Sequence, residues 1–364
     1  MTYMSVSEMI HRLRLGEQIS FRRFMDTSLY SLDGYYNRYV KIGGDGADFY
    51  TASQSPLFAY TMANAVVSAW HRLNSPGEFQ VVELGAGQGE LALLIARRLK
   101  ALLPDIHLKY VIMEKSEMLA NLQKKKILSE AANMEKDTFL EMWTWGMPSS
   151  EIDSVVIGNE VLDAFAVERL RKSGPSFKRS FIVMEQDGNT CKEIWKTAPR
   201  WLCDAAKTYL PIPNGHISEM CLSYPSFAKK CALYGRNVEF IFIDYGISKE
   251  ELTSGIRPDG TARGYQKHQV CSPLMRPGHI DITSDVVWHI AEKAFENAGF
   301  ADISLIKQGE FLLAHGALSV LSELNAKMGK DILSIMKLNG EMKQLVMPGG
   351  FGERFQVLTG HKIG

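Results

Sequence analysis

Phe79-Gln80-Val81-Val82-Glu83-Leu84-Gly85-Ala86-Gly87-Gln88-Gly89 is the stretch whose reading decides the fold. Its first six residues read as a short buried strand. Alternate glycines follow, and then Leu91, Leu94, Ile95, Leu99 and Leu102 recur at helical spacing up to Pro104. Strand, glycine turn and amphipathic helix in that order open an α/β ligand-binding unit. Gly85, Gly87 and Gly89 let a bound group approach the backbone, because a Cβ at the turn would push it away. The spacing is G-x-G-x-G with Glu83 two residues ahead, whereas pyrophosphate binders use G-x-G-x-x-G. A cofactor without phosphates therefore fits better, and S-adenosylmethionine (SAM) is one, with its cationic sulfonium, amino-acid tail and ribose diol. Its ribose needs a carboxylate at the end of the next strand, where Glu114 closes Tyr110-Val111-Ile112-Met113. The competing reading makes Glu114 a solvated residue leading a charged helix with Lys115 and Glu117.

Working outward, a helix from Ser55 carries Phe58, Met62, Val66 and Trp70 on one stripe and stops at Ser75-Pro76-Gly77. A strand fits 107–114, a helix 116–133, and Ser154-Val155-Val156-Ile157-Gly158-Asn159 is another buried strand. The sheet resumes at Val238-Glu239-Phe240-Ile241-Phe242-Ile243-Asp244. A helix over 284–298, a strand near 301–308, two helices and a last strand at 354–358 complete the tail. Strands alternating with helices predict an α/β fold with a mostly parallel sheet. Ser5-Val6-Ser7-Glu8 has the form of a capping box, so helices over 6–16 and 21–32 make residues 1–54 an N-terminal helical cap. Gly174-Pro175, Asp187-Gly188-Asn189 and Pro211-Ile212-Pro213-Asn214-Gly215 punctuate an inserted, partly antiparallel α+β lobe over 164–236. That leaves 55–163 and 237–364 as the core.

The 364 residues exceed what one hydrophobic core usually organises. With 46% apolar and 23% charged residues, extensive disorder is not expected. Forty-one basic residues balance forty-one acidic ones, so no net field favours a nucleic acid. Cys191, Cys203, Cys221, Cys231 and Cys271 lack zinc-ligand spacing and no H-E-x-x-H occurs, so no metal is expected. No apolar run approaches the ~18 residues of a spanning helix, which argues against membrane insertion. Arg12, Arg14, Arg22 and Arg23 are interrupted by Glu8, Glu17 and Asp26, which argues against a transit peptide. A soluble, reducing compartment is the expectation.

Asn159-Glu160-Val161-Leu162-Asp163 follows a buried strand, at the carboxyl edge where open α/β sheets place ligands. Two acids there need water or a cation. A substrate guanidinium is one such cation, held through two parallel N–H···O contacts. Alternatively, Glu160 and Asp163 complement the dipole of a helix N-terminus. Asp244-Tyr245-Gly246 ends another buried strand and either borders the same cleft or is an ordinary strand-to-loop turn. The long loop expected over 246–283 holds His268, His279 and Asp281, and His268 is taken as a substrate-facing residue. Lys124-Lys125-Lys126 reads as the solvated face of a helix.

Together these motifs resemble the MidA-like family of SAM-dependent methyltransferases, which includes a mitochondrial complex I assembly factor that methylates a protein arginine. The resemblance runs through Ile19-Ser20-Phe21, Gly34-Tyr35-Tyr36, Asp48-Phe49-Tyr50-Thr51, the glycine loop, Glu114-Lys115-Ser116 with Leu119 and Gln123, and Asn159-Glu160-Val161-Leu162-Asp163-Ala164. It continues through Asp244-Tyr245-Gly246, Gly260-Thr261 with Tyr265 and His268, Asp281-Ile282-Thr283 and Gln308-Gly309. It implies a class I, Rossmann-like, seven-stranded methyltransferase sheet and a protein substrate methylated on arginine, in a respiratory-complex assembly role. It further implies cofactor contacts at Thr51, Glu83, Gly85, Ala86, Gly87, Gly89, Glu114 and Asn159, and acceptor chemistry at Asn159, Glu160, Asp163 and His268. The chain departs from the family at Ser53-Gln54, where a proline-glutamate pair is usual. That change keeps open methylation of a small molecule or another side chain, and a SAM-binding assembly factor without turnover is a third reading. The glycine spacing disfavours a dehydrogenase. The start of the chain aligns with the family's first helix, which predicts a bacterial-type cytoplasmic protein rather than one of the mitochondrial matrix. A homodimer is left open.

Overall fold

The computed structural model describes residues 4–38, 52–131, 137–267 and 269–364. They divide between two compact units, Met1–Tyr50 with Leu162–Phe227 and Gly246–Ala294, and Thr51–Val161 with Ala228–Tyr245 and Phe295–Gly364.

The second unit is built on a sheet whose strands, labelled along the chain, are β1 (Glu78–Leu84), β2 (His107–Met113), β3 (Trp143–Trp145), β4 (Asp153–Asn159), β5 (Val238–Ile247), β6 (Ala301–Lys307) and β7 (Phe355–Lys362). Their order across the sheet is β6-β7-β5-β4-β1-β2-β3. The pairs among β1 to β5 are parallel, and β7 runs antiparallel to both β5 and β6. This is the mostly parallel α/β, Rossmann-like sheet expected from the sequence, with an eighth short strand, Val286–Val287, where the resemblance implies seven. Both faces are covered, so the central strands are buried on both sides and mostly apolar rather than alternating. In β5, Phe240 and Phe242 pack with Phe295 on one face, while Ile241, Ile243 and Tyr245 join the cluster on the other.

That cluster gathers Phe58, Met62, Val66 and Trp70 from the helix Pro56–Arg72, whose Ser55 hydroxyl caps it by accepting from the Phe58 N–H. In the helix Glu90–Leu102, Leu91, Ile95 and Leu99 are buried and Leu102 is exposed. The strand Trp143–Trp145 is absent from the sequence reading, because three residues are too few to display a period. The tail holds four helices rather than two: Gln308–Ala314, Ala317–Met328, Ile332–Val346 and Phe351–Arg354. Gly316 and Gly329 flank the second of them, both at positive φ, and interrupt the apolar pattern of the tail.

The first unit carries a small antiparallel sheet. Ser176–Met184 pairs with Glu168–Ser173, Cys191–Thr197 and the short strand Ile19–Ser20. Residues 246–294, assigned to the core by sequence, belong to this unit. Gly246 and Ile247 pair with Val286 and Val287, and Arg263–Gln266 pairs with Asp281–Thr283. The expected long loop also contains a helix, Lys249–Ser254, with a capping box between Ser248 and Glu251. Six residues are too short for a helical period to register, and the capping box with the left-handed Gly255 that closes the helix were its local signals.

Candidate functional site

The parallel register of the second unit sets the site. Leu84 pairs with Met113 and Glu83 with Ile157, so the glycine loop, Glu114 and Asn159 leave adjacent strands at one carboxyl edge. Gly85, Gly87 and Gly89 all have positive φ, at 63°, 55° and 87°. Any L residue there is strained, which is why the turn needs this spacing. The Gly85 N–H donates to Met113 O at 3.0 Å, and Gly89 N–H to Ala86 O at 2.8 Å. A Cβ on Gly89 would stand 3.4 Å from Gln123 Cγ.

Glu114 is held by its neighbours without being exhausted by them. The Ser116 N–H donates to Oε1 at 2.9 Å and Gln123 Nε2 to Oε2 at 3.0 Å. With the Lys115 N–H as a third donor, the carboxylate keeps about one of its four acceptor positions for a further donor. Burial raises the Glu114 carboxyl above its ordinary value against these three bonds. Gln123, fully buried, also donates to Gly87 O at 2.8 Å. Glu83 is 3% exposed and accepts from the Tyr110 hydroxyl at 2.5 Å. Burial pushes Glu83 up to about 7, with the Tyr110 bond opposing and the Glu114 charge reinforcing. Tyr110 and Gln123 carry no site role in the sequence reading. A polar residue within the stripe Leu119, Gln123 and Ile127 was the signal available for the second.

Beyond β4, the Glu160 N–H donates to Ile243 O at 2.8 Å, continuing the β4–β5 ladder by one bond. Glu160 itself sits at φ 53°, left-handed for a residue with a Cβ. Asn159 Nδ2 donates to Glu160 Oε1 at 3.0 Å. Both side chains are half-buried. Asp244 is fully buried in β5, and its Oδ1 accepts from the Tyr245 N–H at 2.9 Å.

In the first unit, Asp163 is buried and its carbonyl accepts from the Ser284 N–H at 3.1 Å. The Tyr36 hydroxyl donates to Asp281 Oδ1 at 3.1 Å. Burial, then the charges of Asp281 and, further down, Asp163, push the Tyr36 hydroxyl well above its ordinary value. Asp163 and Asp281 therefore both act on Tyr36. His279 Nε2 lies 2.7 Å from Arg38 Nη1 and its Nδ1 3.1 Å from Pro277 O. Arg38 can only donate, so Nε2 is placed to accept from it and Nδ1 to donate to the Pro277 carbonyl. Thr51 and His268 lie outside the described residues. Among the described residues no group of three His, Cys, Asp or Glu stands close enough to hold a metal ion. No described helix is long and apolar enough to cross a membrane.

Residues 61–304 match the family model described as S-adenosyl-L-methionine-dependent methyltransferase. The chain belongs to this family. It is 25% identical to the Drosophila melanogaster protein arginine methyltransferase NDUFAF7 homolog, mitochondrial, over 90% of this chain and 77% of that one. It is 24% identical to the human protein arginine methyltransferase NDUFAF7, mitochondrial, over 88% and 75%. A superfamily member from Burkholderia thailandensis, solved with S-adenosyl-homocysteine bound, superposes with a TM-score of 0.84 at 26% identity, covering 98% of this chain and 92% of that one.

The chain is thus a SAM-dependent methyltransferase, and the carboxyl edge fits its cofactor. Three left-handed glycines leave the loop backbone open, and Glu114 has acceptor capacity for a further hydroxyl donor. When bound, SAM supplies an electrophilic methyl on a sulfonium. The cytoplasmic expectation is corrected by these relatives, since the fly and human proteins are named as mitochondrial. That expectation rested on the alignment of the chain's start with the family's first helix and on the acids among Arg12, Arg14, Arg22 and Arg23, and neither feature decides a compartment.

Proposed function

We propose that the methyl acceptor is the guanidinium of an arginine in a protein substrate, held by Glu160. The observation that carries this reading is the backbone of Glu160, left-handed at the carboxyl end of β4 with Asn159 donating to its carboxylate. Such a conformation costs on the order of 1–3 kcal/mol in a residue with a side chain and concentrates at functional sites. The names of the fly and human relatives support the arginine acceptor. They also support a mitochondrial setting and, with the family resemblance, a role of respiratory-complex assembly type.

A carboxylate takes a guanidinium through two parallel N–H···O bonds, which fixes the plane of the group and leaves one nitrogen to be aimed. Glu160 supplies this positioning and draws positive charge away from the attacking nitrogen. Asn159 holds the carboxylate in place.

Glu160→Gln keeps the shape and removes the charge. S-adenosylhomocysteine (SAH) affinity by calorimetry should stay within about 2-fold of wild type, while methyl transfer from labelled SAM to proteins of the native organism falls about 100-fold or more. Mass spectrometry of the labelled product should place the methyl on arginine. Equal transfer by variant and wild type removes the role of Glu160. A second reading, a small molecule or another side chain as acceptor, is favoured by Ser53-Gln54, which lack the usual carboxylate. A label on anything other than arginine decides for it.

A further inference from the structure

The helix Glu117–Ala131 buries the stripe Leu119, Gln123 and Ile127, at 3%, 0% and 1% exposure. A fully buried amide in such a stripe is costly unless its donors and acceptor are all used. Here they are. The Gln123 NH2 group donates to Gly87 O at 2.8 Å and to Glu114 Oε2 at 3.0 Å, while its Oε1 accepts from the Trp145 indole N–H at 3.1 Å. An indole nitrogen only donates, so the amide cannot be flipped: oxygen faces Trp145 and nitrogen faces the loop and the acid.

The two acceptors belong to different parts of the cofactor edge. Gly87 is the middle of the left-handed loop and Glu114 is the acid closing β2. Trp145 ends the neighbouring strand, paired with Ile112. Gly89 belongs to the same arrangement, since a Cβ on it would stand 3.4 Å from Gln123 Cγ. One side chain thus ties three segments that are sequentially remote.

We propose that Gln123 is a positioning residue of the SAM site, bonding the glycine-loop carbonyl and the Glu114 carboxylate at fixed separation so that the tail and ribose subsites form together. The inference rests on the reading of Glu114 as the ribose-binding acid. With Oε2 held by Gln123 and Oε1 by the Ser116 N–H, the plane of the Glu114 carboxylate is set before any ligand arrives, and a ligand need not order it.

The test is calorimetry with SAH on wild type, Gln123→Leu, Gln123→Glu and Glu114→Ala. Gln123→Leu keeps the bulk and removes every polar contact, and it should weaken binding by about 10- to 100-fold, as loss of an orienting partner typically does. Gln123→Glu carries the inference should the leucine variant fold poorly. Its protonated form still donates one O–H to Glu114, whereas its ionised form sets two carboxylates against each other. Relative to wild type at each pH, its affinity should lie within about 3-fold at pH 6 and fall by about 10-fold or more by pH 9. A role confined to stability shifts the melting temperature and leaves that affinity ratio flat with pH. A flat ratio, or wild-type affinity in both Gln123 variants while Glu114→Ala binds weakly, overturns the inference and spares the ribose reading. Wild-type affinity in Glu114→Ala overturns the ribose reading, and the inference with it.

Discussion

Glu83 at the carboxyl edge of the parallel strands is buried and Asp33, which meets the start of the helix Val6–Arg14, is only half-buried, and they sit at opposite ends of the carboxyl range. Burial pushes both upward. At Asp33 it is outweighed by donors from the Val6 N–H, the Ser7 N–H, the Ser7 hydroxyl and the Ser31 hydroxyl, leaving the group at about 2. Glu83 has the Tyr110 hydroxyl and feels the neighbouring Glu114 charge, and it stands at about 7. The balance between donors and depth of burial decides which way a carboxyl moves: four donors outweigh partial burial at Asp33, and one donor does not outweigh full burial at Glu83. Asp33 is saturated and serves as a remote cap for the first N–H groups of the helix Val6–Arg14. Glu114, raised like Glu83, keeps acceptor capacity that the protein leaves for something else.

The largest expected effect breaks the comparison at Glu83. Its folded value of about 7 lies above the ordinary 4.5, so the folded chain holds a proton that the unfolded chain has released between those two values. Stability from this group is fully present below the unfolded value and is lost as pH rises through about 7. Glu83→Gln, which still accepts from Tyr110, removes that slope. Urea unfolding should find the variant equal to wild type near pH 4.5 and more stable by up to about 3 kcal/mol above pH 7.5. An unchanged slope refutes the raised value.

Next in size is the use made of the spare acceptor capacity. Glu114→Ala should lower SAM and SAH affinity alike by about 100-fold, the scale of one strong hydrogen bond to an ionised group. An equal loss for both ligands assigns the acid to the ribose, which they share. A loss confined to SAM assigns it to the sulfonium charge instead.

The smallest effect sharpens the comparison from the other side. Asp33→Asn should cost on the order of 1 kcal/mol at pH 7, the scale of a lost helix cap with solvent screening allowed for. Because the folded value is depressed, the stability is present above the ordinary 3.8 and lost as pH falls through about 2. Melting curves of variant and wild type should therefore converge toward pH 2. A gap that persists there assigns the loss to geometry rather than charge.

Much of this was legible in the chain itself. The glycine spacing, the strand before it, the helix after it and the acid closing the next strand lie within about forty residues and follow local rules of period and turn chemistry. From them came the α/β class, the parallel sheet and the identity of the cofactor. Short or interrupted elements escaped the same rules, as with Trp143–Trp145, the helix Lys249–Ser254 and the break at Gly316.

The sequence by itself determined which backbone could make the cofactor turn, because positive φ at alternate positions is a property of glycine wherever the chain goes. Only the tertiary structure decided that Tyr110 meets Glu83, that Gln123 joins Gly87, Glu114 and Trp145, and that Glu160 is left-handed beside Asn159. Those facts depend on which strands become neighbours and in what register. Periodicity along a chain reports which face of an element is buried, but not what it is buried against.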